Sequence, residues 1–232
     1  MIRRFLPLVM ILVLHAPGFA TPVKEIEYSG LGNFKALYAS PNGRPPFPCI
    51  IYVYDQFVDW NGLKFAIRQG YDLPQFAASF ADNGYVSIIP IERFRKMESI
   101  RGAVSFAQSL PFVDRKRIFL VGMSEGGFMT IMALKALPEV RGAVVINPRS
   151  PNDTGYFSMG SALADVSKIK VPVTFYMSRA DITRSRSDSL QLFHGMRNSG
   201  VKVHYFEKNV GPKWFWNPSQ EFFTDTLSFF ER

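Results

Sequence analysis

Apolar residues fall along this chain in short continuous runs separated by helical stripes. "CIIYVY" (49–54), "YVSIIP" (85–90), "RIFLVG" (117–122), "AVVINP" (143–148) and "VPVTFYM" (171–177) are rich in β-branched and aromatic residues, the pattern of strands buried on both faces. Residues 72–83 carry apolar side chains at 73, 76, 77 and 80, a helical spacing, and Gly84 stops the helix. Helices are also predicted over 98–110, 125–137 and 188–199, the last ended by Gly200. "VKVHYFEK" (201–208) reads as the last strand. Residues 219–231 read as a closing helix that offers Phe222, Phe223, Phe229 and Phe230 for packing. Residues 24–29 and 34–40 read as two short strands joined by a turn near Gly30 and Gly32.

Strands alternating with helices imply a parallel, doubly wound α/β sheet, and the two opening strands give it an antiparallel start. The loops that follow parallel strands gather at one edge, where such sheets bind ligands. No insertion is long enough to form a cap domain, so any site is expected to be open.

Composition narrows the picture. With 232 residues, 47% of them hydrophobic, the chain can bury one sizeable core. The first twenty residues, "MIRRFLPLVMILVLHAPGFA", carry Arg3 and Arg4, an apolar stretch over 5–14, and Gly18 and Ala20 before Thr21. This is the layout of a secretory signal peptide, so residues 1–20 are expected to be removed on export to the periplasm or medium, leaving 21–232 as one domain. Ten apolar residues are too few to span a bilayer. The lone Cys49 sits in an apolar run and is expected to pack as a small hydrophobe. The net charge of +8 comes from scattered residues, among them Arg93, Arg95 and Lys96. No nucleic-acid motif accompanies them, so they read as a solvated basic surface. No His/Cys cluster has metal-ligand spacing, and no metal or organic cofactor is expected.

One stretch carries chemistry. "IFLVGMSEGGFM" (118–129) places Ser124 between Gly122 and Gly126, where a strand is predicted to turn into a helix. That is the context of a nucleophile elbow, a turn so tight that the serine's neighbours must lack bulk. The helix N-terminus then offers N–H groups and a positive dipole to a developing oxyanion, with the Glu125 N–H as one donor.

The chain resembles the α/β-hydrolases, in the style of the dienelactone-hydrolase-like and prolyl-oligopeptidase-like branches. "FAASFADNGYVSIIP" (76–90), "VDRKRIFLVGMSEGG" (113–127) and "VPVTFYMSRAD" (171–181) carry the resemblance. It implies an α/β-hydrolase fold with about eight strands, a mostly parallel sheet, helices on both faces and no large cap. It further implies a serine hydrolase acting on a small-molecule ester or a peptide. Ser124 matches the nucleophile and Asp181 the acid. "YVYDQF" (52–57) takes the place of the His-Gly-Gly type of oxyanion loop, making Asp55 and the Gln56 N–H candidates there.

The resemblance also exposes a gap. Its histidine belongs in the loop after the last strand, where "NVGPKWFWNP" (209–218) offers Lys213 instead. Of the three histidines, His15 lies in the leader, His194 on a helix, and His204 inside the last strand about 16 Å from the expected Ser124 edge. A free lysine is neutral in only about one molecule in 2,500 at pH 7. A neighbouring Asp181 would hold Lys213 charged, so an ion pair between them is expected. Three readings stay open: a decayed triad on a retained fold, hydrolysis through another base or the substrate itself, and a Ser–Lys pair. An inactive ligand-binding scaffold is the opposed function, with Trp214 among the aromatic residues available for stacking.

Overall fold

The computed structural model describes residues 12–14, 21–29, 32–181 and 184–232. Most of the expected signal peptide (1–20) lies outside the described residues; Leu12–Leu14 form a strand, β1. Eight further strands follow in the chain: β2 (Val23–Ser29), β3 (Asn33–Ala39), β4 (Phe47–Val53), β5 (Val86–Pro90), β6 (Val113–Met123), β7 (Gly142–Ile146), β8 (Val173–Ser178) and β9 (Val203–Lys208). They form one sheet in the order β1-β2-β3-β5-β4-β6-β7-β8-β9. The pairs β1/β2, β2/β3 and β3/β5 are antiparallel, and all pairs from β5/β4 through β8/β9 are parallel. This is the α/β-hydrolase fold, with the antiparallel start expected from the two opening strands.

Helices cover both faces. α1 (Phe57–Asn61), α2 (Leu63–Arg68) and α3 (Leu73–Asp82) follow β4; α4 (Lys96–Ser109) follows β5; α5 (Glu125–Leu134) follows β6. α6 (Met159–Leu163) and α7 (Arg184–Asn198) flank β8, and α8 (Glu221–Phe230) closes the chain. Strand periodicity sorts the core into two layers. Ile51, Val145 and Phe175 pack with Ile100 of α4, Ile131 of α5 and Leu192 of α7. Their neighbours Ile50, Val144 and Tyr176 face the other way, onto Phe76 of α3 and Phe222 of α8. Cys49 is fully buried in the first layer, and burial pushes its thiol far up, so it packs as a hydrophobe.

Two differences from the sequence reading bear on the site. The 57–68 segment forms two short helices where no helix was expected, because its apolar residues follow no buried stripe: Trp60, Phe65 and Ile67 are exposed. Lys96, read as part of a solvated basic surface, is 7% exposed at the first position of α4. No described helix is long and apolar enough to cross a membrane.

Candidate active site

Met123 ends β6 and Glu125 opens α5, so Ser124 alone turns the chain from strand into helix. Its backbone sits at φ 54°, ψ −121°, a conformation that non-glycine residues rarely hold and that costs about 1–3 kcal/mol. Surrounding bonds fix it. The Ser124 N–H donates to the Ile146 carbonyl at 2.8 Å, and the Ser124 carbonyl accepts the N–H groups of Phe128 and Arg149, each at 3.1 Å.

The flanking glycines have steric reasons. A Cβ on Gly122 would lie 2.4 Å from the Gly126 carbonyl oxygen and 2.4 Å from Thr130 Oγ1. One on Gly126 would lie 2.1 Å from the Val53 carbonyl oxygen and 2.6 Å from that of Tyr54. The second contact matters most: Gly126 lets the start of α5 touch the end of β4, which brings the next residues, Asp55 and Gln56, alongside Ser124. Among the described residues, neither the Gln56 nor the Glu125 backbone N–H donates to another protein group. Both expected oxyanion donors therefore remain available at the loop and at the helix N-terminus.

Asp55 is held from several sides. Its Oδ1 accepts the Phe57 N–H at 2.9 Å, and its own N–H donates to the Tyr71 hydroxyl at 3.1 Å. The Ser124 hydroxyl is the weakest of the influences on its carboxylate and, among the described residues, makes no direct hydrogen bond to it. Burial raises the Asp55 pKa, opposed by the Phe57 N–H and the Lys96 charge, and helped by the negative charge of Glu125. Behind Asp55 stands Lys96, with Nζ 2.6 Å from Asp59 Oδ2, 2.9 Å from Glu125 Oε2, and 4.9 Å from the Tyr54 ring centre. The Tyr54 hydroxyl in turn donates to Asp59 Oδ1 at 2.8 Å. Among the described residues, no group of three or more His, Cys, Asp or Glu side chains is set to hold a metal ion.

The remaining expected residues are placed differently. Asp181 is buried three residues beyond β8, its N–H on the Ser178 carbonyl. The Ser178 hydroxyl donates to the Val210 carbonyl, tying the end of β8 to the loop after β9. Lys213 is exposed there, in a 3₁₀ turn over Pro212–Trp216. The expected ion pair is corrected: among the described residues Lys213 bonds neither Asp181 nor Ser124, and its Nζ lies 5.1 Å from the Trp216 ring centre. Positions three apart eclipse in a 3₁₀ turn, which stacks Lys213 over Trp216. Trp214 packs on Phe215 and on Phe222 of α8, at ring distances of 5.0 and 5.6 Å. Trp216 is the ring nearer the site, against Phe57 at 4.9 Å and Tyr71 at 5.1 Å. His204 pairs with Thr174 below the Tyr176–Ile146–Met123 level, three strands from β6. Sequence reasoning missed Asp59, Lys96 and Tyr71, which come from segments with no motif, and gave no role to Tyr54 within "YVYDQF".

Beside Glu125 and Lys96 an open cavity of about 420 Å³ is lined also by Arg93, Phe94, Asn152 and Phe157.

The dienelactone hydrolase family model matches residues 91–211, just over half of the chain. The chain belongs to the dienelactone hydrolase family. No curated protein matches it in sequence. Among solved structures it is similar to a putative dienelactone hydrolase from Klebsiella pneumoniae subsp. pneumoniae MGH 78578, with a TM-score of 0.73 at 17% identity over 92% of this chain and 99% of that one. It is also similar to Pyrococcus horikoshii acylaminoacyl peptidase (TM-score 0.69, 17% identity, 91% of this chain) and to an acetyl xylan esterase from Paenibacillus sp. R4 (TM-score 0.68, 14% identity, 96% of this chain and 88% of that one). The chain spans 41% of the length of the peptidase. These likenesses concern the fold. The family match reaches from just after β5 to Gly211, so the Ser124 turn and Asp181 both lie inside the matched region.

Proposed function

We propose that the protein is a serine hydrolase of carboxylic esters in which Ser124 is the nucleophile and Asp55 its proton acceptor. The observation that carries this is a strained elbow at Ser124 flanked by two uncommitted N–H groups, next to the buried Asp55 carboxylate, whose ionised form the Ser124 hydroxyl weakly favours. In the reaction, Ser124 Oγ attacks the ester carbonyl carbon while its proton passes to Asp55. The carbonyl electron pair moves onto oxygen, held by the Glu125 and Gln56 N–H groups. Collapse breaks the bond to the alcohol, which leaves with the proton from Asp55. Water then attacks the acyl-serine by the same route, releasing the acid and restoring Ser124.

Lys96 supports this chemistry without touching the substrate carbonyl. Its charge favours the ionised form of Asp55, while its ion pairs fix Asp59 on α1 and Glu125 on α5 around the loop that holds Asp55. Asp181 and Lys213 take no proton in this scheme. The leader-like first twenty residues support export, which cell fractionation tests.

A second reading has its own observation: no described histidine adjoins Ser124, which favours an inactive scaffold that binds a ligand beside the elbow. A fluorophosphonate probe separates the two. Labelling of the wild type that disappears in Ser124→Ala, and falls steeply in Asp55→Asn, supports the hydrolase. An unlabelled, folded wild type overturns it.

A further inference from the structure

A second cavity, of about 530 Å³, lies between the sheet and α8. Gly142, the first residue of β7, and Pro172 and Lys202, just before β8 and β9, line it. It therefore opens toward the amino ends of the parallel strands, away from the edge that carries Ser124. By strand register, Thr174 in its wall lies two strands across and three residues below Ser124, roughly 14 Å away.

Two hydroxyls in its lining lack partners. Thr174 and Tyr176 stand two residues apart on one face of β8, each 1% exposed. Thr174 Oγ1 is buried with no hydrogen-bond partner. The Tyr176 hydroxyl has none among the described residues either, and burial with the nearby Asp225 charge keeps it protonated, a donor. Buried hydroxyls in native proteins are nearly always satisfied, so the unpaired Thr174 Oγ1 is a standing cost to the fold, while the Tyr176 hydroxyl on the same strand face stays reachable by solvent. A ligand bearing a matching polar group removes that cost.

The mouth supplies the rest of the chemistry. Arg141 and Lys202 are exposed there and hold no ion pair among the described residues. Arg141 and Lys202 stand against one carboxylate side chain, Asp225, so the mouth favours an anion. Phe206 and Phe229 add aromatic wall on β9 and α8. The volume falls in the range of small-molecule sites.

We propose that this cavity is a second binding site, separate from the Ser124 centre, for a small hydroxylated aromatic carboxylate. The ligand hydroxyl meets Thr174 and Tyr176 in the interior, its ring lies along Phe206 and Phe229, and its carboxylate faces Arg141 and Lys202. The site does not depend on the hydrolase reading, since none of these residues belongs to the elbow.

The test is calorimetric titration of the full chain with 4-hydroxybenzoate, with benzoate and 4-hydroxybenzamide as probes lacking the hydroxyl and the charge. The expected result is saturable 4-hydroxybenzoate binding, with both other probes weaker. Thr174→Val and Tyr176→Phe should each weaken it about tenfold, while ligand-free Thr174→Val melts at the same temperature or higher, because an unsatisfied hydroxyl has been removed. Arg141→Gln with Lys202→Gln should weaken the carboxylate but not the amide. Absence of saturable binding overturns the proposal. So does benzoate binding as tightly as 4-hydroxybenzoate, or affinity unmoved by Thr174→Val and Tyr176→Phe. Binding abolished by Ser124→Ala or Asp55→Asn would place the ligand at the elbow and overturn it as well.

Discussion

Asp55 follows the end of β4, which the start of α5 meets at Gly126 just beyond Ser124, and its carboxylate Oδ1 accepts the Phe57 N–H at 2.9 Å. That relationship joins the loop after β4 to the turn after β6, and Gly126 makes it sterically feasible. It gives the serine an anionic neighbour in a site where no described histidine adjoins it.

If Asp55 takes the serine proton, Asp55→Asn should lower kcat/KM for a p-nitrophenyl ester by about 10²–10⁴-fold, with folding retained by circular dichroism. The pH profile gives a second reading. Burial raises the Asp55 pKa above its ordinary value of 3.8, and only the ionised form accepts a proton. Activity should therefore rise with pH through an acid limb above the normal aspartate range, and the limb should vanish in Asp55→Asn. A limb at the ordinary aspartate value would remove the role assigned to burial.

The same shift predicts a stability effect of opposite sense. A folded-state pKa raised above the unfolded one stabilises the fold only at low pH; that contribution is lost as pH rises through the folded pKa. At neutral pH the ionised, buried Asp55 is thus a net cost. Asp55→Asn should melt higher than the wild type at pH 7, and the difference should shrink toward zero below about pH 4. Thermal melts across that range check the sign directly.

Lys213 makes a separate case. Its ammonium lies over Trp216 in solvent and bonds neither Ser124 nor Asp181. Lys213→Ala should leave fluorophosphonate labelling within about twofold of wild type, the loss of an exposed cation–π contact being worth only about 0.5–1 kcal/mol of stability. A loss of labelling beyond a hundredfold would revive the Ser–Lys pair.

The elbow can be tested through the glycine that brings Asp55 to it. A Cβ at Gly126 would stand 2.1 Å from the Val53 carbonyl oxygen, and that atom is backbone and cannot rotate away. Gly126→Ala should destabilise the protein by about 1–3 kcal/mol or more, or, where α5 shifts to relieve the clash, separate Ser124 from Asp55 and abolish labelling. A variant with unchanged melting and labelling would contradict the close approach.

How much of this was legible depends on the range of the cause. The buried strands show in sequence because "CIIYVY" and "AVVINP" are local, continuous and bounded. The elbow shows because its steric demands fall on adjacent residues. Lys96 does not, because its burial is decided by Asp59 and Glu125, 37 positions before it and 29 after it, and by folding that brings α1, α4 and α5 together. Within "ERFRKMES" it looks like any surface cation. The 57–68 helices were hidden for a related reason, since their exposed Trp60, Phe65 and Ile67 break the apolar stripe that announces a packed helix. The resemblance located the loop of Lys213, but the outward stacking of its side chain follows from the 3₁₀ turn and the Trp216 ring, which no motif encodes.

Lys96 supplies the last prediction. Its side chain is 6% exposed, as is that of Asp59, and Glu125 is 15% exposed, so the three charges sit largely out of water. Removing the cation leaves two carboxylates facing each other with nothing between them, and breaking a buried pair in this way costs about 3–5 kcal/mol. Lys96→Met should therefore lower stability by that amount in denaturant melts, and lower labelling as well, because Asp55 loses the positive charge that favours its ionised form. If the loss arises from the stranded carboxylates rather than from packing, adding Asp59→Asn and Glu125→Gln to Lys96→Met should recover most of the stability. Labelling should recover only in part in that triple variant, since losing Glu125 removes an anion that raises the Asp55 pKa but the larger opposing effect of Lys96 stays absent. A triple variant no more stable than the single one would mean that the lysine's aliphatic stem, not its charge, holds α1 and α5 together.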